Sequence, residues 1–188
     1  MALTSPQASW PADAVDLGSL LQLFYADQPG KLATFEPAEA SSMQPAYRQL
    51  LEHDEHMTIT VEAFYNSPVD VRVQRTTLGS GTYSREIVLV ARESGKVVQY
   101  GIVRLRPAAL QPEVWQEIQE RQTPLGKVLI QHNVFRQVEL VALWKVTAGA
   151  ELARLLEIAP GAVTYGRTAR IFCDGEPAIE LLEIVAPV

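Results

Sequence analysis

Two charged residues stand inside runs that are otherwise apolar. Arg85 lies in Tyr83-Ser84-Arg85-Glu86-Ile87-Val88-Leu89-Val90, and Glu183 in Leu181-Leu182-Glu183-Ile184-Val185-Ala186. Aliphatic and β-branched residues on both faces make each run a strand. Strand parity then puts Arg85 on one face with Ile87 and Leu89. A lone buried charge is costly, so each must be paired, protonated or aimed at a ligand. A planar guanidinium grips a carboxylate through two parallel hydrogen bonds. A carboxyl in the same core serves as proton acceptor, proton donor or hydroxyl anchor, according to whether burial or a nearby arginine dominates. Acid and base inside one small β-rich core imply an internal polar cavity. The structural alternative is an ion pair, with Arg85 matched by Glu86 or Glu183, or an arginine whose tip reaches solvent.

The other chemistry-bearing groups are weaker signals. His53 and His56, three apart, could face a metal from one side of a helix. No third ligand is at hand and His132 is isolated, so a solvated helix end capped by acids is favoured and no metal is expected. Thr123-Pro124-Leu125-Gly126-Lys127 enters a helix, where free backbone N–H groups can hold an anion, or where the turn is only a tight connection. Arg136, Arg167 and Arg170 lie in or beside strands and could meet a second anionic group; otherwise they are surface residues. Cys173, the only cysteine, reads as a small buried hydrophobe, and its solitude excludes an intrachain disulfide and points to a reducing cytoplasm. No nucleophile elbow, P-loop or dinucleotide fingerprint is present, and no cofactor is expected.

The elements that must position these groups follow from periodicity and punctuation. The length of 188 residues fits one domain with an N-terminal extension. The expected division is 1–44, a partly helical extension, and 45–188, the functional domain. The first dozen residues are Ser-, Pro- and Ala-rich and read as poorly ordered. Leu17 to Tyr25 reads as helix, with Asp16 or Ser19 as cap, and 31–44 as loop. Pro45 opens a helix to about His53. His56 to Phe64 fits either a strand or a helix ending before Asn66-Ser67-Pro68. Val69 to Arg75 alternates with period two, and Gly79-Ser80-Gly81 turns it back. Tyr83 to Glu93 and Lys96 to Arg106 form a hairpin across Ser94-Gly95. Pro112 to Gln122 is a helix and Lys127 to Gln131 a further turn. Phe135 to Val146 is a strand, and Ala150 to Ile158 a short helix closed by Pro160-Gly161. Val163 to Cys173 and Ala178 to Val185 form the last hairpin about Asp174-Gly175. The fold class is α+β: an antiparallel β-sheet flanked by helices.

Composition narrows the function. A net charge of −6 argues against nucleic-acid binding, which needs a concentrated basic surface. It leaves room for an anionic small molecule, because one or two buried arginines dominate at short range. No apolar stretch spans a bilayer, and the N-terminus lacks the basic and apolar regions of a secretory signal.

Taken in order, a set of short stretches resembles the chorismate pyruvate-lyase family. They are Met57-Thr58 after Leu50-Leu51 and an acidic segment, Ser84-Arg85-Glu86-Ile87-Val88-Leu89, Gly95 to Gly101 leading to Arg106-Pro107, Pro124-Leu125-Gly126, Phe135-Arg136, Gly166 to Arg170, and Leu182 to Pro187. The Leu-Leu-x-His-x-x-x-Met-Thr form is closest to the archaeal, cyanobacterial and mycobacterial branch. The resemblance implies an antiparallel sheet with helical flaps over an internal ligand cavity. It also implies a carbon–oxygen lyase that turns chorismate into 4-hydroxybenzoate and pyruvate. Arg85 would hold the ring carboxylate, with Met57 and Leu125 completing that site, and Glu183 would meet the ring hydroxyl. Arg136 or Arg167 would hold the second carboxylate. One residue more than in the enterobacterial pattern separates Gly175 from Glu183, so a bulge is needed to restore the glutamate's direction. A related sheet serves as the effector-binding domain of some transcription regulators. The alternative is therefore a non-catalytic binding protein or sensor for a hydroxybenzoate-like acid. The expected partner in either case is a small aromatic or cyclohexadiene carboxylate, with no nucleic acid and no membrane.

Overall fold

A computed structural model of the chain describes residues 15–79, 81–134 and 136–188. The first dozen residues, read as poorly ordered, lie outside this range, as do Ser80 of the expected Gly-Ser-Gly turn and Phe135 of the Phe-Arg stretch. Helix α1 (Leu17–Tyr25) starts where the Asp16 carboxylate accepts from the N–H groups of Gly18 and Ser19 at 3.2 and 2.9 Å. Strand β1 is Ala33–Ala38 and helix α2 is Pro45–Leu51, opened by its proline. The ambiguous segment is helix α3 (Met57–Tyr65). Its β-branched content is outweighed by burial of Met57 and Val61 on one helical face. Asn66, in the left-handed conformation at φ 47°, ends it before Pro68.

Strands β2 (Val69–Gly79), β3 (Thr82–Ala91) and β4 (Val97–Leu105) follow. Next come α4 (Pro112–Glu120), α5 (Leu125–Gln131), β5 (Arg136–Ala148), α6 (Ala150–Leu156), β6 (Val163–Cys173) and β7 (Glu176–Val185). The strands form one antiparallel sheet in the order β1-β5-β6-β7-β4-β3-β2. The β6–β7 turn has Asp174 and Gly175 both at positive φ, the geometry that matches strand twist. Register slips by one residue between Ile171↔Ile179 and Phe172↔Pro177, a bulge at the start of β7. The loop expected over 31–44 is corrected: Ala33–Ala38 pairs with β5 as an edge strand. Proline is tolerated there because an edge strand leaves one side unbonded.

Each face of the sheet is covered. On one, α1 and α6 pack Leu20, Leu21 and Leu152 against Tyr100, Ile102, Leu182 and Ile184. That face also carries two polar clamps. Glu86 accepts from the hydroxyls of Tyr25 and Tyr100 and pairs with Arg75, and Arg104 bridges Glu180 and Ser19. Residues 15–38 thus contribute α1 and β1 to the same layers as the rest. On the other face two apolar clusters stand apart. One joins α2 and α3, through Leu50, Leu51, Met57 and Val61, to Ile87 and Leu89. The other joins α4 and α5, through Val114, Ile118, Leu125 and Val128, to Val103, Ile171 and Leu181. A cavity lies between them.

Candidate ligand-binding site

The floor of the cavity is built by strand alternation. Arg85, Ile87 and Leu89 of β3 stand opposite Val103, Gly101 and Gln99 of β4, and Gly101 stands opposite Glu183 of β7. Glu183 in turn is opposite Arg167 of β6. Arg85 and Glu183 therefore share a face, two strands and one pleat repeat apart, which is roughly 12 Å between Cα atoms. Between them Gly101 contributes no side chain. The roof is made by the starts of α3 and α5. They meet closely because residue 126 is glycine: a Cβ there would come within 3.1 Å of the His56 Cβ and 3.2 Å of the Thr58 hydroxyl oxygen. Lys127 donates to Glu62 at 2.6 Å, and Glu62 also accepts from the Val69 N–H at 2.8 Å, locking α5, α3 and β2 together.

The void is narrow. It measures about 40 Å³, smaller than the ~150 Å³ void that holds benzene. Its walls are mainly apolar, with Arg85, Gln99, Arg167, Glu183, Glu55, His56 and Thr58 as the polar exceptions.

Arg85 is 1% exposed, and its Nε and Nη1 have no hydrogen-bond partner among the described residues. Burial pushes its guanidinium down to about 10, helped by Arg121, so it remains charged at neutral pH. The ion pair left open as an alternative does not form. Glu86 points to the opposite face and is paired with Arg75, while Glu183 is paired with Arg167, whose Nε donates to Glu183 Oε2 at 2.8 Å. The N–H groups of Met57 and Thr58, in the first turn of α3, lie outside the helical ladder, and no side chain caps that end.

Of the residues singled out by sequence, Arg85, Glu183, Met57, Leu125 and Arg167 line one cavity. Arg136 does not. Its Nε donates to His56 Nε2 at 2.6 Å and its Nη1 to the Val134 carbonyl, on the outer side of the roof. Arg167 is fully buried, and its donors are taken up by Glu183 and by the 51–55 segment. Its Nη1 reaches the carbonyls of Leu51 and His53 at 3.4 and 2.8 Å, and its Nη2 that of Glu55 at 3.2 Å. It works as a strap from the sheet to the α2–α3 connection.

Among the described residues, the two histidines belong to no cluster of three potential metal ligands. His53 Nε2 bonds the Leu50 carbonyl at 2.8 Å, and His53 Nδ1 accepts from the Glu55 N–H and from Arg167. Burial and Arg167 hold His53 below its ordinary range. Burial, with Arg136 and Arg167, pushes His56 down to about 4. Gln99 went unnoticed in the sequence. A polar residue two places from Gly101 in a buried strand was the available sign.

The effector domain of PhnF from Mycobacterium smegmatis matches 70% of this chain and 88% of its own, with a TM-score of 0.54 at 12% identity. PhnF itself, from the same organism, matches 70% of this chain and 63% of its own, with 0.52 at 11%. YydK from Bacillus subtilis subsp. subtilis str. 168, described as a possible transcriptional regulator, matches 64% and 59%, with 0.46 at 12%. The fold is shared with the PhnF effector domain. The chain spans about six-tenths of the two longer proteins. No family model matches the chain, and no curated protein does.

The lyase expectation is corrected by these neighbours. The two neighbours with TM-scores above 0.5 are PhnF and its effector domain, neither of them described as a lyase. The geometry agrees. Chorismate carries two carboxylates, whereas Arg136 is outside the cavity and Arg167 is committed to Glu183 and to main-chain carbonyls. Among the described residues, no helix is long and apolar enough to cross a membrane.

Proposed function

We propose that this chain is a ligand-binding domain for one small, flat organic carboxylate of the hydroxybenzoate type, held without being converted. The observation that carries this reading is Arg85: a charged guanidinium, buried and unpartnered, on the wall of a mainly apolar internal cavity. A buried charge left in that state costs several kcal/mol. An anionic ligand removes the cost, so selection for binding explains what selection for stability alone does not. The free first-turn N–H groups of α3 add partial positive charge at its uncapped end. Glu183, at the other pole, suits a ligand hydroxyl. Met57 and Leu125 close over the ring from the two roof helices.

The test is a pair of ligands differing only in charge. 4-Hydroxybenzoate should raise the unfolding temperature of the chain in a dose-dependent manner, and 4-hydroxybenzamide, uncharged and of the same shape, should not. Equal stabilisation by both would contradict the assignment of Arg85 to a carboxylate.

A further inference from the structure

Beside Glu183 the cavity has a second unpartnered polar group. Gln99 is 2% exposed and lines the void, and its amide oxygen is buried with no hydrogen-bond partner among the described residues. In the sheet Gln99 faces Val185 while Gly101 faces Glu183. Gln99 and Glu183 are thus diagonal neighbours on one face, ~7–8 Å apart at the backbone and within reach of one long side chain by another. The position between them along β4 is Gly101, which puts no side chain in the way. Of the two Glu183 oxygens, Oε2 accepts from Arg167. Oε1 has no protein partner among the described residues.

Buried amides are almost always hydrogen-bonded, because leaving one unpaired costs its full desolvation. A lone Gln oxygen diagonal to a carboxylate oxygen on one face presents two acceptors, with the Gln99 amide nitrogen as the donor beside them. We infer that the pole opposite Arg85 reads two adjacent hydrogen-bond donors, one taken by Glu183 Oε1 and one by the Gln99 amide oxygen. The ligand class is then a ring carboxylate with vicinal hydroxyls, or with a hydroxyl beside an amino group, rather than one with a single para hydroxyl. This rests on the ring-carboxylate reading of the cavity and adds a residue, Gln99, and a selectivity to it.

The experiment is calorimetric titration of the chain with 3,4-dihydroxybenzoate and with 4-hydroxybenzoate, repeated on Gln99→Leu and Gln99→Met. The wild-type chain should favour the dihydroxy acid about fivefold or more, the worth of one neutral hydrogen bond. The ratio should fall towards one in both variants, and a thermal melt identifies a variant that has lost its fold. Equal binding of the two acids by the wild-type chain, or a preference for 4-hydroxybenzoate, overturns the role of Gln99 and leaves the ring-carboxylate reading standing. Binding of neither acid overturns both.

Discussion

Arg85 and Glu86 are consecutive residues of β3 and point to opposite faces of the sheet. Glu86 meets Arg75 through two hydrogen bonds, Nε to Oε2 at 2.7 Å and Nη2 to Oε1 at 3.0 Å, and also accepts from Tyr25 and Tyr100. Arg85 meets none of this, because the pleat forbids a side chain from reaching its sequence neighbour's side of the sheet. One strand therefore presents a neutralised carboxylate to the structural core and a bare cation to the cavity.

The first consequence is a trade between stability and binding. Arg85→Met replaces a buried unpaired charge with an apolar chain of similar length. It should leave thermal stability equal or higher, by about 1–4 kcal/mol, while stabilisation by 4-hydroxybenzoate disappears. A variant that unfolds at much lower temperature would show that Arg85 holds the fold rather than a ligand.

Glu86 should behave in the opposite way. Glu86→Leu strands the hydroxyls of Tyr25 and Tyr100 and releases Arg75 from α1, where it also donates to the Phe24 carbonyl and stacks on the rings of Phe24 and Tyr25. The expected loss is about 2–4 kcal/mol. Hydrogen exchange should rise over residues 17–25 in particular. Unchanged protection there would mean that α1 is held by its apolar face alone.

Two glycines that border β7 should separate fold from affinity. A Cβ at Gly166 would lie 2.7 Å from the Glu183 carbonyl oxygen, a backbone atom that cannot move aside, so Gly166→Ala should lower stability. A Cβ at Gly101 meets its nearest neighbours at 3.4–3.5 Å, an ordinary contact. Gly101→Ala should fold normally and weaken ligand binding by filling the floor. Denaturant melts and titrations on both variants distinguish the two effects.

The histidines on the 51–57 segment predict a pH dependence. His56 gains its proton near pH 4 in the folded chain and near its ordinary pKa of ~6.5 when unfolded. Between those values the unfolded chain binds more protons. This contribution is therefore complete above about pH 6.5 and is lost as pH falls towards 4, on the order of 3 kcal/mol in all. His53, also held low, adds to it with the same sign. His56→Gln keeps an acceptor for Arg136 and should flatten the urea-midpoint profile between pH 6.5 and 4 relative to wild type. Identical profiles would show that His56 does not carry it.

What was legible in the sequence is what alternation and turn chemistry control. Arg85 and Glu183 stood out because a charge in a continuous apolar run has few explanations. The Asp174-Gly175 hairpin was readable from its turn residues. Strand β1 was not readable, because Glu36 and Pro37 fit a loop and only pairing with β5 makes Ala33–Ala38 a strand. Arg136 and Arg167 could not be told apart, since what separates them is long-range: one turns outward to His56, the other collects carbonyls from a segment more than a hundred residues earlier. Gln99 was within reach of the parity argument applied to Arg85, since it lies on the face of Gly101, two residues along.

The central claim is that Arg85 is reserved for the carboxylate of a ring-sized ligand. Calorimetric titration of 4-hydroxybenzoate into the wild-type chain and into Arg85→Met tests it most directly. Saturable one-to-one binding by the wild type, with loss of at least tenfold in affinity in the variant, is the predicted result. Equal binding by the two proteins, with the variant folded, would contradict it.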